Sequence, residues 1–151
     1  MTAHLPLLCA LLSQAGATEV PMSGRGHASN PVWSADGKKL AFEVNDYAGK
    51  IDLFTAKIEG GEPQGSPKLV KLNVAMSSFG GPTGMVAGAP IWHPTASLLF
   101  FEASYTGAAS RIYMTNLSSP PRQLISEAKV GGDLSWPSLS ASGDKLLFCS
   151  D

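Results

Sequence analysis

Pro31-Val32-Trp33-Ser34-Ala35-Asp36-Gly37-Lys38-Lys39-Leu40-Ala41-Phe42 decides how the rest of this chain reads, because the phrase returns twice. The second version is Pro90-Ile91-Trp92-His93-Pro94-Thr95-Ala96-Ser97-Leu98-Leu99-Phe100-Phe101, and the third is Pro137-Ser138-Leu139-Ser140-Ala141-Ser142-Gly143-Asp144-Lys145-Leu146-Leu147-Phe148. In each, a proline stands two residues before a large apolar residue, and a phenylalanine stands nine after it. The spacing from Trp33 to Trp92 is 59 residues and from Trp92 to Leu139 it is 47. Self-similarity on this scale marks a repeat architecture.

Outward from the first phrase, the pattern is short strand, turn, short strand. Residues 30–33 read as a strand, 34–38 as a tight turn carrying the Asp36-Gly37 hairpin signal, and 39–44 as a second strand. Leu40, Phe42 and Val44 alternate with Lys39, Ala41 and Glu43, a period of two that predicts two unequal faces. Residues 51–56 and 69–72 supply a third and fourth strand. The second copy predicts strands at 89–92, 98–103, 111–115 and 122–125; the third has room for two, at 135–139 and 145–149. Four short antiparallel strands per repeat is the make-up of a propeller blade. The expected fold is therefore all-β: two complete four-stranded blades at about 30–76 and 88–128, plus half of a third at 134–151, in an incomplete ring. Trp33, Trp92 and Leu139 are expected to pin sheet against sheet, so Trp33→Ala and Trp92→Ala are each expected to cost about 3–5 kcal/mol.

The start of the chain differs in character. An apolar run from Leu5 to Leu12 is followed by Ala15-Gly16-Ala17, so residues 1–17 read as an export signal cleaved after Ala17. No Lys or Arg precedes the run, which keeps an unprocessed N-terminus as the other reading. The run is too short to span a bilayer, and Pro6-Leu7-Leu8 before Cys9 is not a lipoprotein box. Residues 18–29 read as a polar lead-in. Of the two cysteines, Cys149 reads as a buried strand residue, and no disulfide framework or metal cluster follows from them.

With 11 basic against 12 acidic residues, the chain carries no nucleic-acid footprint. Gly80-Gly81-Pro82-Thr83-Gly84 lacks the Lys-Ser/Thr ending of a phosphate loop, and no Gly-x-Ser-x-Gly is present. His93 reads as a turn residue. Asp46 and Asp52 lack the spacing of a cation loop. Glu43 and Glu102, each one residue past the terminal phenylalanine, occupy equivalent positions and read as structural. No catalytic residue, cofactor site or metal site is expected. What remains is loop surface: Tyr47, Tyr105 and Arg111 are the candidate contacts for a protein or peptide partner.

The first phrase resembles the TolB-type, or WD-like, propeller repeat, which typically reads Pro-x-Trp-Ser-Pro-Asp-Gly-Lys-x-Ile-Ala-Phe. Ile112-Tyr113-Met114 and Arg122-Gln123-Leu124 resemble later strands of the same repeat. The structural positions that carry the likeness are Pro31, Trp33, Asp36, Gly37, Phe42, Pro90, Trp92, Phe101, Pro137, Leu139 and Phe148. The second copy departs with Thr95-Ala96, and the third with Leu139 and an inverted Gly143-Asp144, which weakens the expected hairpins there. The resemblance implies an exported bacterial protein, a ring of about six blades completed by further blades of a longer chain or by oligomerisation, and docking of peptides or an envelope lipoprotein in Tol–Pal-type transport. The alternative is the substrate-gating propeller of a prolyl-oligopeptidase-like serine peptidase.

Overall fold

The computed structural model describes residues 10–13, 16–22, 26–48, 50–70, 85–105, 108–125 and 131–151. Among them there are thirteen strands and no helix. A hairpin of β1 (Ala10–Ser13) and β2 (Gly16–Glu19) comes first. The first blade consists of β3 (His27–Trp33), β4 (Lys39–Asn45), β5 (Ile51–Glu59) and two short outer strands, β6 (Glu62–Pro63) and β7 (Lys68–Leu69). The second is β8 (Met85–Trp92), β9 (Leu99–Tyr105), β10 (Arg111–Thr115) and β11 (Arg122–Gln123). The third is the pair β12 (Leu134–Leu139) and β13 (Leu146–Ser150). Within each blade the strands pair antiparallel with their neighbours, β6 and β7 both on β5, and one parallel bridge, Ile51 to Val86, links the first blade to the second. The second blade's fourth strand is shorter than expected, and residues 71–72 of the first blade's expected fourth strand lie outside the described residues; Val70 and Leu124 extend the outer edge by donating their N–H groups to the Leu53 and Ile112 carbonyls, both at 2.8 Å.

The lead-in expected over 18–29 is not strand-poor: β2 ends at Glu19, β3 begins at His27, and Val20 is fully buried. The two-faced expectation for β4 also needs correction, because Leu40 through Val44 are all buried. Leu40, Phe42 and Val44 meet Val20, Met22 and Ile58 on one side. Ala41 meets Trp92, Leu99 and Phe101 of the second blade on the other. A sheet covered on both faces keeps its period of two in side-chain size and loses it in burial.

Each first strand carries a bulge at the same place: between Ser29 and Val32, Gly88 and Ile91, and Ser135 and Ser138. The residue in it has positive φ every time, Asn30 at 49°, Ala89 at 46° and Trp136 at 54°. The next residue is Pro31, Pro90 or Pro137. A proline fits there because the bulge has removed its place in the ladder, so no N–H is missed.

Trp92 is 8% exposed and its indole N–H donates to the Val32 carbonyl of the preceding blade at 3.2 Å. Trp33 is 46% exposed. The expectation that it pins a blade junction is corrected, for a simple reason: this tryptophan packs against the blade before its own, and none stands there among the described residues. Phe42 and Phe101 are fully buried, Leu139 and Phe148 half-buried. Leu147 is 74% exposed and Cys149 is an exposed free thiol, not the buried residue expected, because both lie on the open face of the third sheet.

Candidate functional site

The junctions between blades hold the chain's most specific side-chain chemistry. Glu43 is buried in β4, and its Oε1 accepts the Ala89 backbone N–H at 2.7 Å, reaching into the bulge of the next blade. Its Oε2 accepts from the Asn30 side-chain amide at 2.9 Å and from the Ser29 hydroxyl at 3.4 Å. Gly88 lets the carboxylate come close; a Cβ there would stand 3.0 Å from Oε1. Glu102 repeats the device: its Oε2 accepts the Trp136 N–H, in the third bulge, at 2.8 Å. A bulge frees a backbone N–H from the ladder, and a buried N–H needs an acceptor. The preceding blade supplies one as a carboxylate, which makes a stronger, charge-assisted bond.

The turns repeat as well. Ser34 N–H donates to Lys39 carbonyl and Gly37 N–H to Ser34 carbonyl, with Gly37 at φ +66°. Asp36 Oδ1 accepts from the Ser34 hydroxyl at 2.6 Å and the Lys38 N–H at 3.0 Å, and these bonds hold its pKa below the usual 3.8. In the third copy Ser140, Gly143 and Lys145 make the same two backbone bonds, with Gly143 at φ +79°. The inverted Gly143-Asp144 therefore does not alter this turn. Asp144 stands two positions later than Asp36, after the glycine and not before it, but still accepts from the Ser140 and Ser142 hydroxyls, which lower its pKa. In the second copy the ring nitrogen Nδ1 of His93 takes over, accepting from the Thr95 and Ala96 N–H groups at 3.2 and 3.0 Å.

The three candidate contact residues stand on different elements. Tyr47 is 75% exposed in the loop after β4, at φ 61°, with its N–H on Asn45 Oδ1. Tyr105 is the last residue of β9. Arg111 opens β10, the strand expected at 111–115, but is 8% exposed and not the open contact expected of it; its guanidinium donates to the Ser110 and Gly132 carbonyls, tying the second blade to the start of the third. Asp46 closes its own loop by accepting the Ala48 and Lys50 N–H groups, which lower its pKa. Asp52 pairs with Lys50 at 2.7 Å. Among the described residues no group of three or more His, Cys, Asp and Glu side chains could hold a metal ion. The glycine-rich stretch at 80–84 and Cys9 lie outside the described residues.

Two features escaped the sequence. Trp136 is 68% exposed, and a tryptophan three residues before the repeat's key position carried no signal of its own. The other is an open cleft of about 880 Å³ between the first blade and the turn after β10, lined by Lys39, Lys57 and Lys68 among others.

Sheets of this kind, joined face to face by a tryptophan and a carboxylate, define a propeller-type chain. No protein-family model matches the sequence, and no curated protein matches it. Solved structures do. A puromycin-hydrolysing peptidase from Mycobacterium tuberculosis is similar over 89% of this chain, with a TM-score of 0.64 and 20% identity. TolB from Acinetobacter baumannii is similar over the same share, with a TM-score of 0.58 and 18% identity. The chain spans 20% of the peptidase and 31% of TolB. At such identities the likeness shows the fold, and the fold is β-propeller-like. Among the described residues no helix is long and apolar enough to cross a membrane.

Proposed function

We propose that this chain is propeller sequence from a non-enzymatic docking scaffold of the bacterial cell envelope, TolB-like, exported to the periplasm, whose partner is a protein or peptide, an envelope lipoprotein among them. The observation that supports this reading is the likeness to TolB over 89% of the chain, together with loops that leave Tyr47 open to solvent. Loops held on a rigid sheet scaffold are where propellers bind. The proposed contacts are Tyr47 and Tyr105. The proposed leader, residues 1–17, would be removed, so N-terminal sequencing of the periplasmic protein should begin at Thr18. The test of docking is capture from envelope extract with the full chain as bait, followed by mass spectrometry. Recovery of an envelope lipoprotein supports the scaffold; a result indistinguishable from beads alone counts against it.

The likeness to the peptidase, at a TM-score of 0.64, supports a second reading: the substrate-gating portion of a serine peptidase whose chemistry is done by another domain. Reading the gene beyond the codon for Asp151 separates the two. A Gly-x-Ser-x-Gly in a strand–turn–helix setting favours the peptidase, and further Pro-x-Trp repeats followed by a stop favour the scaffold.

A further inference from the structure

Three lysines share one sheet face with a single carboxylate, Glu59, beside them. Lys39 and Lys57 are direct partners across β4 and β5. Lys68 is the partner of Thr55 across β5 and β7, which puts it diagonal to Lys57 on the same face. Directly opposed Cβ atoms stand about 4.5–5.5 Å apart and diagonal neighbours about 7–8 Å, and like charges in the direct position destabilise a sheet. None of the three makes an ion pair with a described residue. Lys39 instead donates to the Ser97 hydroxyl and lies 5.6 Å from the centre of the Trp92 ring. All three line the cleft of about 880 Å³, with Glu59 the one carboxylate of its lining and Ser118 among the hydroxyls of the opposite wall.

Resting on the docking reading, we propose that this inter-blade cleft takes an extended acidic segment of a protein partner. Its carboxylates would neutralise the opposed lysines, and its apolar side chains would lie on the half-buried Leu69 and Leu117 and on Pro120 and Pro121. A long phosphate polymer is disfavoured, because the chain as a whole carries a net charge of −1. A single small anion would use the lysines and leave the apolar wall unused.

The probe is a fluorescein-labelled peptide of repeated Glu-Leu, with a Gln-Leu twin, titrated into the full chain and followed by anisotropy. The charged peptide should bind, weaken as salt is raised, and lose at least about tenfold in affinity on the Lys57→Glu/Lys68→Glu double variant. Both lysines are exposed, so the variant should keep the wild-type circular dichroism. Equal binding of the Gln-Leu twin, unchanged affinity of the double variant, displacement by millimolar inorganic phosphate alone, or no binding would each overturn the assignment. The capture experiment is scored separately. A double variant that still captures the envelope partner leaves the scaffold standing and removes the cleft; a chain that binds Glu-Leu through these lysines and captures nothing removes the scaffold and keeps the cleft.

Discussion

Asp36 shows how much one side chain does here. Its carboxylate collects the Ser34 hydroxyl and the Lys38 N–H, bonds that favour the ionised form and lower the pKa below 3.8. A depressed folded-state pKa gives a contribution to stability that is present above the unfolded value and fades as pH falls through the folded one. The turn should therefore stay closed at neutral pH and loosen only below the ordinary carboxylate range. A carboxyl-carbon NMR titration should place the Asp36 midpoint under 3.8, and Ser34→Ala should move it upward. At the same scale, Glu43→Ala strips the Ala89 N–H and the Asn30 amide of their acceptor. A buried group left unsatisfied costs about 1–3 kcal/mol. Glu102→Ala should cost less in the same urea titration, because the Trp136 it serves is exposed and water can replace the carboxylate.

For whole strands and turns, position relative to the neighbouring sheet decides the cost of a change. Trp92→Ala should lose about 3–5 kcal/mol, as large core truncations do. Trp33→Ala, at 46% exposure, should lose under about 1.5 kcal/mol, nearer the surface range. Equal losses in denaturant melts would contradict the junction described for Trp92. Gly37 and Gly143 make the same point. Both sit at positive φ, where a Cβ costs roughly 1–2 kcal/mol. A Cβ on Gly37 meets nothing within 4 Å, whereas one on Gly143 would collide with the His93 ring. Gly143→Ala should therefore be the more damaging substitution in thermal melts. The strands and turns were legible because proline, glycine and alternating apolar residues act locally. The exposure of Trp33 was not, since burial depends on a neighbour the phrase does not mention. The bulges were hidden too: Asn30, Ala89 and Trp136 share a backbone shape and no side-chain chemistry. Glu43 and Glu102 stood out as equivalents, but the donor each takes from the next blade is a main-chain N–H, invisible in a pattern of side chains.

Across the whole molecule, the core is a stack of sheets: residues 19–22 lie on the first blade, the first blade on the second, and the second on the third through Arg111, Glu102 and His93. The lysine cleft belongs to this scale. Lys39, Lys57 and Lys68 come from three strands, and only ladder register brings them to one face, so no motif could have announced them. Partial legibility of the site has the same origin: loop tyrosines can be read from composition, whereas a surface made between blades exists only after they dock.

The Glu43–Ala89 and Glu102–Trp136 bonds run in one direction along the chain, from the rear of one wedge to the front of the next. A contact with that polarity has unlike halves, so it cannot be made by a twofold axis; copies joined this way would close into a circle or grow into a filament. The third wedge carries Cys149 where its predecessors carry the acid. Any wedge docked on that face would meet a thiol in place of a carboxylate, a weaker acceptor for a bulge N–H.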